Sequence, residues 1–298
     1  MARSVREPDE KRRVKVPGGE VQTFSYGHSD EVLLLLHGGP AMPSPHIRNT
    51  HSWLVDHGFG VVTWDQLGCG ESEIPDNPSL WSPERACEEV EAVRSALDLG
   101  VVQLYGHSWG AMLALVYALT YPNNIKSLVI ANGLANVPFH QREADRMLAA
   151  FGPEFVQMRL RHELNGTTDS PEYQAAEVLL RYRHICRLPY WPEEMQRDID
   201  AINPQPFKVM FGGSEWHVGG TLKNWNMVPE LPKIKHPTLV LVGEHDELTP
   251  KEAWEIHQAL PNSRFRMFEG VAHMLMYECP EEYGQELLKF FQENRGRR

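Results

Sequence analysis

A serine, an aspartate and a histidine, far apart in the chain, each occupy a local setting that suits acyl transfer. Ser108 is the centre of Gly106-His107-Ser108-Trp109-Gly110, a G-x-S-x-G pattern. Before it runs Val101-Val102-Gln103-Leu104-Tyr105, apolar and β-rich; after it comes Ala111 to Leu119, dominated by good helix formers. Strand, tight turn and helix in that order hold a serine on a strained turn with its hydroxyl exposed. The flanking glycines are needed because so sharp a turn leaves no space for Cβ atoms beside the nucleophile.

A serine hydroxyl is a weak nucleophile and needs a base, which in turn needs an orienting acid. In the fold that uses this turn the chain order is serine, then acid, then histidine. The apolar run Thr238 to Val242 leads into Gly243-Glu244-His245-Asp246-Glu247, which puts Asp246 just past the end of a strand. Glu244 and Glu247 are rival orienters, and Asp246 could instead cap the helix that follows. After the next strand comes Gly270-Val271-Ala272-His273, which puts His273 on a loop at the same edge; the alternative is a solvated loop histidine. Two backbone donors for a developing oxyanion are the N–H of Trp109 and that of Gly39, in His37-Gly38-Gly39-Pro40. Those glycines would also suit a plain tight turn, and His37 reads as a structural hydrogen-bonding residue.

For these residues to meet, parallel strands must end at one edge. Residues 11–27 alternate around Pro17-Gly18-Gly19 and read as a hairpin. Val32–Leu36, Gly60–Trp64, the stretch around Leu104 and Ile125–Ala131 read as strands buried on both faces. Helical stretches separate them: Ile47–Gly58, Ser82–Leu99 (Ser82 as cap, Pro83 at the first position) and Ser108–Tyr121. This alternation predicts a doubly wound, mostly parallel α/β sheet. From Asn136 to Lys235 buried strands give way to helical stretches (Gln141–Phe151, Pro171–Cys186, Pro192–Ile202) and a glycine-rich loop, Phe211 to Gly220. Strand, helix, strand and closing helix then resume at Thr238–Val242, Pro250–Leu260, Arg264–Phe268 and Pro280–Glu293. The expected organisation is one α/β core, residues 1–135 and 236–298, with a helical insertion over 136–235 acting as a lid.

At 298 residues the chain has ample length for a buried core. Its formal charge of −11 argues against nucleic acid or an anionic membrane as partner. The longest aliphatic run, Val32–Leu36, is too short to span a bilayer, and the charged first 20 residues carry no apolar signal segment. Cys69, Cys87, Cys186 and Cys279 show no metal or disulfide spacing, so reduced thiols in a cytoplasmic setting are expected, with no cofactor and no metal.

Taken together, His37-Gly38-Gly39-Pro40, Asp65-Gln66-Leu67-Gly68-Cys69-Gly70-Glu71-Ser72, Gly106 to Ala114 and Ala131-Asn132-Gly133-Leu134-Ala135 resemble the proline iminopeptidases, prolyl aminopeptidases and related amino-acid amidases of the α/β-hydrolase superfamily. The likeness extends to Arg183-His184-Ile185-Cys186-Arg187 and to Pro237–Pro250. It implies an α/β-hydrolase fold with an inserted helical cap, and a small-molecule or peptide substrate with a free N-terminal amine. It further implies that two glutamates bind that amine, at the positions of Glu215 and Glu247. Paired carboxylates suit a buried ammonium, since an unpaired buried charge is expensive. Trp216, Phe139 and Tyr190 would wall the acyl pocket or pack the insertion's own core. The resemblance includes amidases that remove a protecting aminoacyl group in macrolactam biosynthesis; a carboxylesterase or lactonase on the same triad is the alternative. Ala41 stands where the family has the last glycine of HGGPG, a departure expected to reshape the floor of the pocket for the N-terminal residue.

Overall fold

The structure is a computed structural model that describes residues 5–214 and 216–297. Among them, eight strands form one sheet in the order β1-β2-β4-β3-β5-β6-β7-β8. The strands are β1 (Glu10–Val16), β2 (Gly19–Tyr26), β3 (Val32–Leu36), β4 (Gly60–Asp65), β5 (Val102–His107), β6 (Ile125–Ala131), β7 (Thr238–Gly243) and β8 (Ser263–Phe268). β1 and β2 form the expected antiparallel hairpin, and β2 also pairs antiparallel with β4. From β4 to β8 every pairing is parallel.

Both sheet faces are covered, which is why the central strands read as unbroken aliphatic runs. Leu34, Leu36, Val62 and Leu104 pack on one face against α2 (Pro83–Ala96), α3 (Trp109–Thr120) and α9 (Pro250–Ala259). Leu33, Leu35, Tyr105 and Val129 pack on the other against α1 (Pro45–His51) and α11 (Pro280–Glu293). The Ser82 side chain caps α2 by accepting from the Arg85 N–H, as the sequence suggested. The strand order reverses at β3, which lies between β4 and β5. In open α/β sheets ligands bind beyond the carboxyl ends of the strands at such a switch point. The loops after β3 and β5 emerge there, and they carry Gly39 and Ser108.

Between β6 and β7 come α4 (Val137–Ala149), α5 (Pro153–Asn165), α6 (Pro171–His184), α7 (Glu193–Asp200) and α8 (Pro204–Phe211). The sequence reading missed α5 and α8 and started α4 too late. Each of these three helices has proline in its first turn, where the missing N–H costs nothing. The Asn136 side chain caps α4 by accepting from the Phe139 N–H, five residues before the expected start at Gln141. The stretch expected as one helix over 47–58 instead breaks after His51 into a 3₁₀ turn. Arg159, 1% exposed, stitches α5 to α6 through Glu177 at 2.5 Å and the Tyr173 hydroxyl at 2.9 Å. The insertion is tied to the core by the backbone N–H of His46, which donates to Asp198 at 2.7 Å, and by Asn203 donating to the Gly68 carbonyl at 2.9 Å.

Candidate active site

β5 ends at His107 and is followed by Ser108, whose φ of 56° and ψ of −123° put a non-glycine residue at positive φ. Such a conformation costs on the order of 1–3 kcal/mol and persists only where the surroundings dictate it. They do so here. A Cβ on Gly106 would run into the backbone of Gly110, and one on Gly110 into the carbonyls of Leu36 and His37. The Ser108 N–H donates to Ala131 O at 3.0 Å, while the Ser108 carbonyl accepts from Ala111 at 2.9 Å to start α3.

Asp246 is 1% exposed and sits in the loop after β7; His273, 5% exposed, sits in the loop after β8. His273 Nδ1 lies 2.7 Å from Asp246 Oδ1. The same oxygen accepts from the Leu248 N–H at 2.9 Å, and Oδ2 accepts from Asn132 Nδ2 at 2.6 Å. The rivals fall away on geometry. Glu244 accepts from the Gly270 N–H instead, and the cap of α9 is Thr249, paired with Glu252 in a reciprocal box. Imidazole Nδ1 bonded to a buried carboxylate leaves Nε2 as the atom that can take a proton from a nucleophile.

The His273 backbone is gripped from two sides. Its N–H donates to the Ile185 carbonyl at 3.0 Å, and its carbonyl accepts from His107 Nε2 at 3.0 Å. A carbonyl only accepts, so His107 carries its proton on Nε2. Burial holds the His107 pKa well below the ordinary histidine value, so the ring is neutral near pH 7. Ile185 belongs to the segment after α6, and its neighbour His184 binds the other loop: Nδ1 to the His245 carbonyl at 2.8 Å, and its own carbonyl to the Glu247 N–H at 3.2 Å. Sequence reasoning gave no role to Asn132 or His107. The signals available were an asparagine at a strand end beside glycine and a histidine adjoining the nucleophile.

Gly39, at φ 43°, and Trp109, the first residue of α3, flank the serine. Gln66 ties their two segments together. Its N–H donates to His37 Nε2 at 2.9 Å, its Nε2 donates to the His37 carbonyl at 3.1 Å, and its Oε1 accepts from the Trp109 indole at 3.0 Å. His37 is therefore the structural residue expected. Burial, aided by the nearby His46, lowers its pKa to about 4. Cys69 lies beneath, fully buried with Sγ 3.2 Å from the Gln66 carbonyl, and burial pushes its thiol pKa well up, away from nucleophilic chemistry.

Ser108, Gly39 and Glu247 border two small cavities. One, of about 80 Å³, is completed by Gly38, Met42, His107, Arg181, Ile185, Ile199, Ile202, His273 and Met274. The other, of about 40 Å³, is completed by Pro40, Trp109, Met112, Leu134, His140, Phe207, Phe211 and Leu248. Glu247 is thus a wall of both, with the residue 6% exposed. Glu215 lies outside the described residues. Of the three expected aromatic walls none borders either cavity. Trp216 is 2% exposed and packs its ring 5.7 Å from that of His184, Tyr190 is 87% exposed, and Phe139 borders a separate surface groove beside Trp254. Phe207 and Phe211 of α8 border the smaller cavity instead. Among the described residues no group of three or more His, Cys, Asp or Glu is arranged to hold a metal ion, and no helix is long and apolar enough to cross a membrane.

Residues 31–280 match the alpha/beta hydrolase fold family. The proline iminopeptidase of Heyndrickxia coagulans is 34% identical over 273 residues, spanning 91% of this chain and 94% of its own length. Among solved structures, the proline iminopeptidase of Mycobacterium smegmatis superimposes with a TM-score of 0.86 at 31% identity, covering 96% of this chain and 98% of that one. VinJ superimposes with a TM-score of 0.91 at 30% identity, covering 96% and 99%. The chain belongs to the α/β-hydrolases. Within them it belongs to the proline iminopeptidase family, and it is a serine hydrolase enzyme.

Proposed function

We propose that this enzyme removes an N-terminal aminoacyl group, proline, alanine or similar, from a small peptide or amide by way of an acyl-enzyme. The observation that carries the reading is the buried carboxylate of Glu247 in the wall of both cavities that meet at Ser108. A carboxylate in that wall, beside the nucleophile, offers a substrate's α-ammonium an opposite charge at the point where the scissile bond must lie. Glu215, by the family resemblance, is the second acid of the clamp. Two acids facing one site repel until the cation arrives, which favours free amines over N-acyl compounds.

In this mechanism Ser108 Oγ attacks the substrate carbonyl as His273 Nε2 takes its proton. Asp246 holds the imidazole in the tautomer that permits this and stabilises the imidazolium that forms. The backbone N–H groups of Gly39 and Trp109 receive the oxyanion. On collapse the carbon–nitrogen bond breaks, and His273 returns the proton to the leaving amine. Water, deprotonated by His273, then attacks the ester and regenerates Ser108. The helical insertion serves as a lid, with Ile185 fixing the base from above. Substrates within the class include dipeptides, amino-acid amides and aminoacyl-capped natural products such as macrolactam intermediates.

The test compares prolyl and alanyl p-nitroanilides with their N-acetyl forms, in the native enzyme and in Glu247→Gln. Free amines should be cleaved at least about 100-fold faster, and the substitution should remove most of that preference. Equal rates for free and blocked amines would replace this reading with the carboxylesterase or lactonase alternative.

A further inference from the structure

The two cavities are not equivalent, because only one of them contains the base. His273 borders the cavity with Met42, Ile185, Ile199, Ile202 and Met274, and not the one with Phe207 and Phe211. The base must hand its proton to the departing nitrogen, so the leaving amine has to lie on its side of the scissile bond. That assigns the cavity of about 80 Å³ to the leaving group and the cavity of about 40 Å³ to the acyl residue. The assignment rests on the aminoacyl-hydrolase reading above.

The leaving-group cavity is aliphatic apart from its polar catalytic edge, and it holds one cation. Arg181, in the last turn of α6, contributes to its wall. Among the described residues the Arg181 side chain makes no hydrogen bond, ion pair or stacking contact, although it is half-buried. Other arginines of α5 and α6 are engaged: buried Arg159 on Glu163 and Glu177, and exposed Arg183 over the Phe151 ring. An uncommitted guanidinium against an apolar wall has a planar fork of donors that matches a carboxylate.

From this geometry we infer that Arg181 is a specificity-determining residue that binds a carboxylate on the leaving amine, so the favoured leaving group is an aliphatic amino acid with a free carboxyl end. Substrate would then bridge two opposite charges. Its ammonium goes to Glu247, and its carboxylate, one residue further on, goes to Arg181. A dipeptide free acid carries both charges; its C-terminal amide offers only the first.

The experiment measures kcat/KM of the full-length enzyme for prolyl-leucine and alanyl-leucine as free acids and as C-terminal amides, with prolyl p-nitroanilide as a substrate lacking the carboxylate. The native enzyme should prefer the acid over the amide roughly 10- to 100-fold, the range of one charged hydrogen-bonded contact. Arg181→Gln should bring the acid-to-amide ratio to about one, Arg181→Lys should keep part of it, and added salt should shrink the native ratio. A native ratio near one, or a ratio unchanged in Arg181→Gln, overturns the inference while leaving the aminopeptidase reading intact if the p-nitroanilide is cleaved. Failure to cleave any free-amine substrate, p-nitroanilide included, overturns both.

Discussion

His107 Nε2 donates to the backbone carbonyl of His273 at 3.0 Å, so the residue before the nucleophile holds the loop of the base. The two rings lie 4.8 Å apart between centroids. Nucleophile and base come from strands on opposite sides of β6, and this bond fixes their separation directly rather than through the sheet.

Replacing His107 by alanine should cost on the order of 1–3 kcal/mol through the unpaired carbonyl, plus a term for the space left behind. Because the bond positions His273, kcat should fall by roughly 10-fold or more, and any change in KM from the His107 wall of the larger cavity should be the smaller effect. Steady-state kinetics with a p-nitroanilide and urea titration of the same variant measure the two effects. His107→Gln, which keeps a donor, should recover part of kcat. A rise in KM at constant kcat would contradict the positioning role.

Asn132 does two things at once. Its side chain donates to Asp246 at 2.6 Å, and its backbone sits at φ 51°. Asparagine tolerates that conformation better than most residues. Two substitutions separate the roles. Asn132→Ala loses the hydrogen bond and keeps the backbone strain, so stability should drop by about 2 kcal/mol or more. Asn132→Gly loses the same bond but relieves the strain, so it should be the more stable of the two by about 1 kcal/mol. Activity should fall similarly in both, since both leave Asp246 Oδ2 without this donor. Thermal unfolding alongside kcat distinguishes the terms; equal stabilities would mean the backbone is not strained.

The neutral buried histidines make the fold acid-sensitive. His37 has its pKa lowered from 6.5 to about 4, and that of His107 is lowered well below 6.5, both by burial. A folded pKa below the unfolded one means the unfolded chain binds more protons between the two values, so stability rises with pH across that window. The contribution is complete above pH 6.5 and is lost as pH falls toward about 4. For His37 alone this amounts to about 3 kcal/mol over the window. Urea unfolding at pH 7.5, 6 and 5 should show the decline, and His37→Asn should flatten it. A stability independent of pH over that range would refute the burial argument.

The sheet was legible because most parallel strands covered on both faces are dominated by aliphatic residues, and Ile125–Ala131 and Pro280–Glu293 were read to the residue. The residues brought together at the candidate site were legible because Ser108, Asp246 and His273 each follow a strand and their chain order is distinctive. The insertion was harder. Its helices expose apolar side chains such as Leu164 and Val178, and several begin with prolines that break periodicity when read as interruptions. Contacts between distant segments, such as Gln66 with Trp109 or His184 with His245, depend on tertiary placement and leave no local pattern at all.

Ala41 is the point where a sequence departure and its structural consequence part company. It was expected to reshape the pocket that receives the N-terminal residue. Its φ of 65° is indeed one that glycine would favour. Yet the residue borders neither cavity beside Ser108; it faces Gln66, Leu67, Trp81 and Arg85 behind the oxyanion loop. Three terms decide its stability effect. Relief of strain would stabilise Ala41→Gly by about 1–2 kcal/mol. Added freedom of the unfolded chain costs about 0.4–1 kcal/mol, and losing a methyl that is 3% exposed costs about 0.8 kcal/mol. These nearly cancel, so Ala41→Gly should lie within about 1 kcal/mol of the native chain, which explains why alanine is tolerated there. The ratio of kcat/KM for prolyl and alanyl p-nitroanilides should stay within about twofold. In contrast, Phe207→Ala or Phe211→Ala, which open the acyl cavity itself, should shift that ratio by roughly 10-fold or more, the scale of a few buried methylene groups. A large selectivity change in Ala41→Gly and none in the phenylalanine variants would move the acyl pocket to the other side of the oxyanion loop.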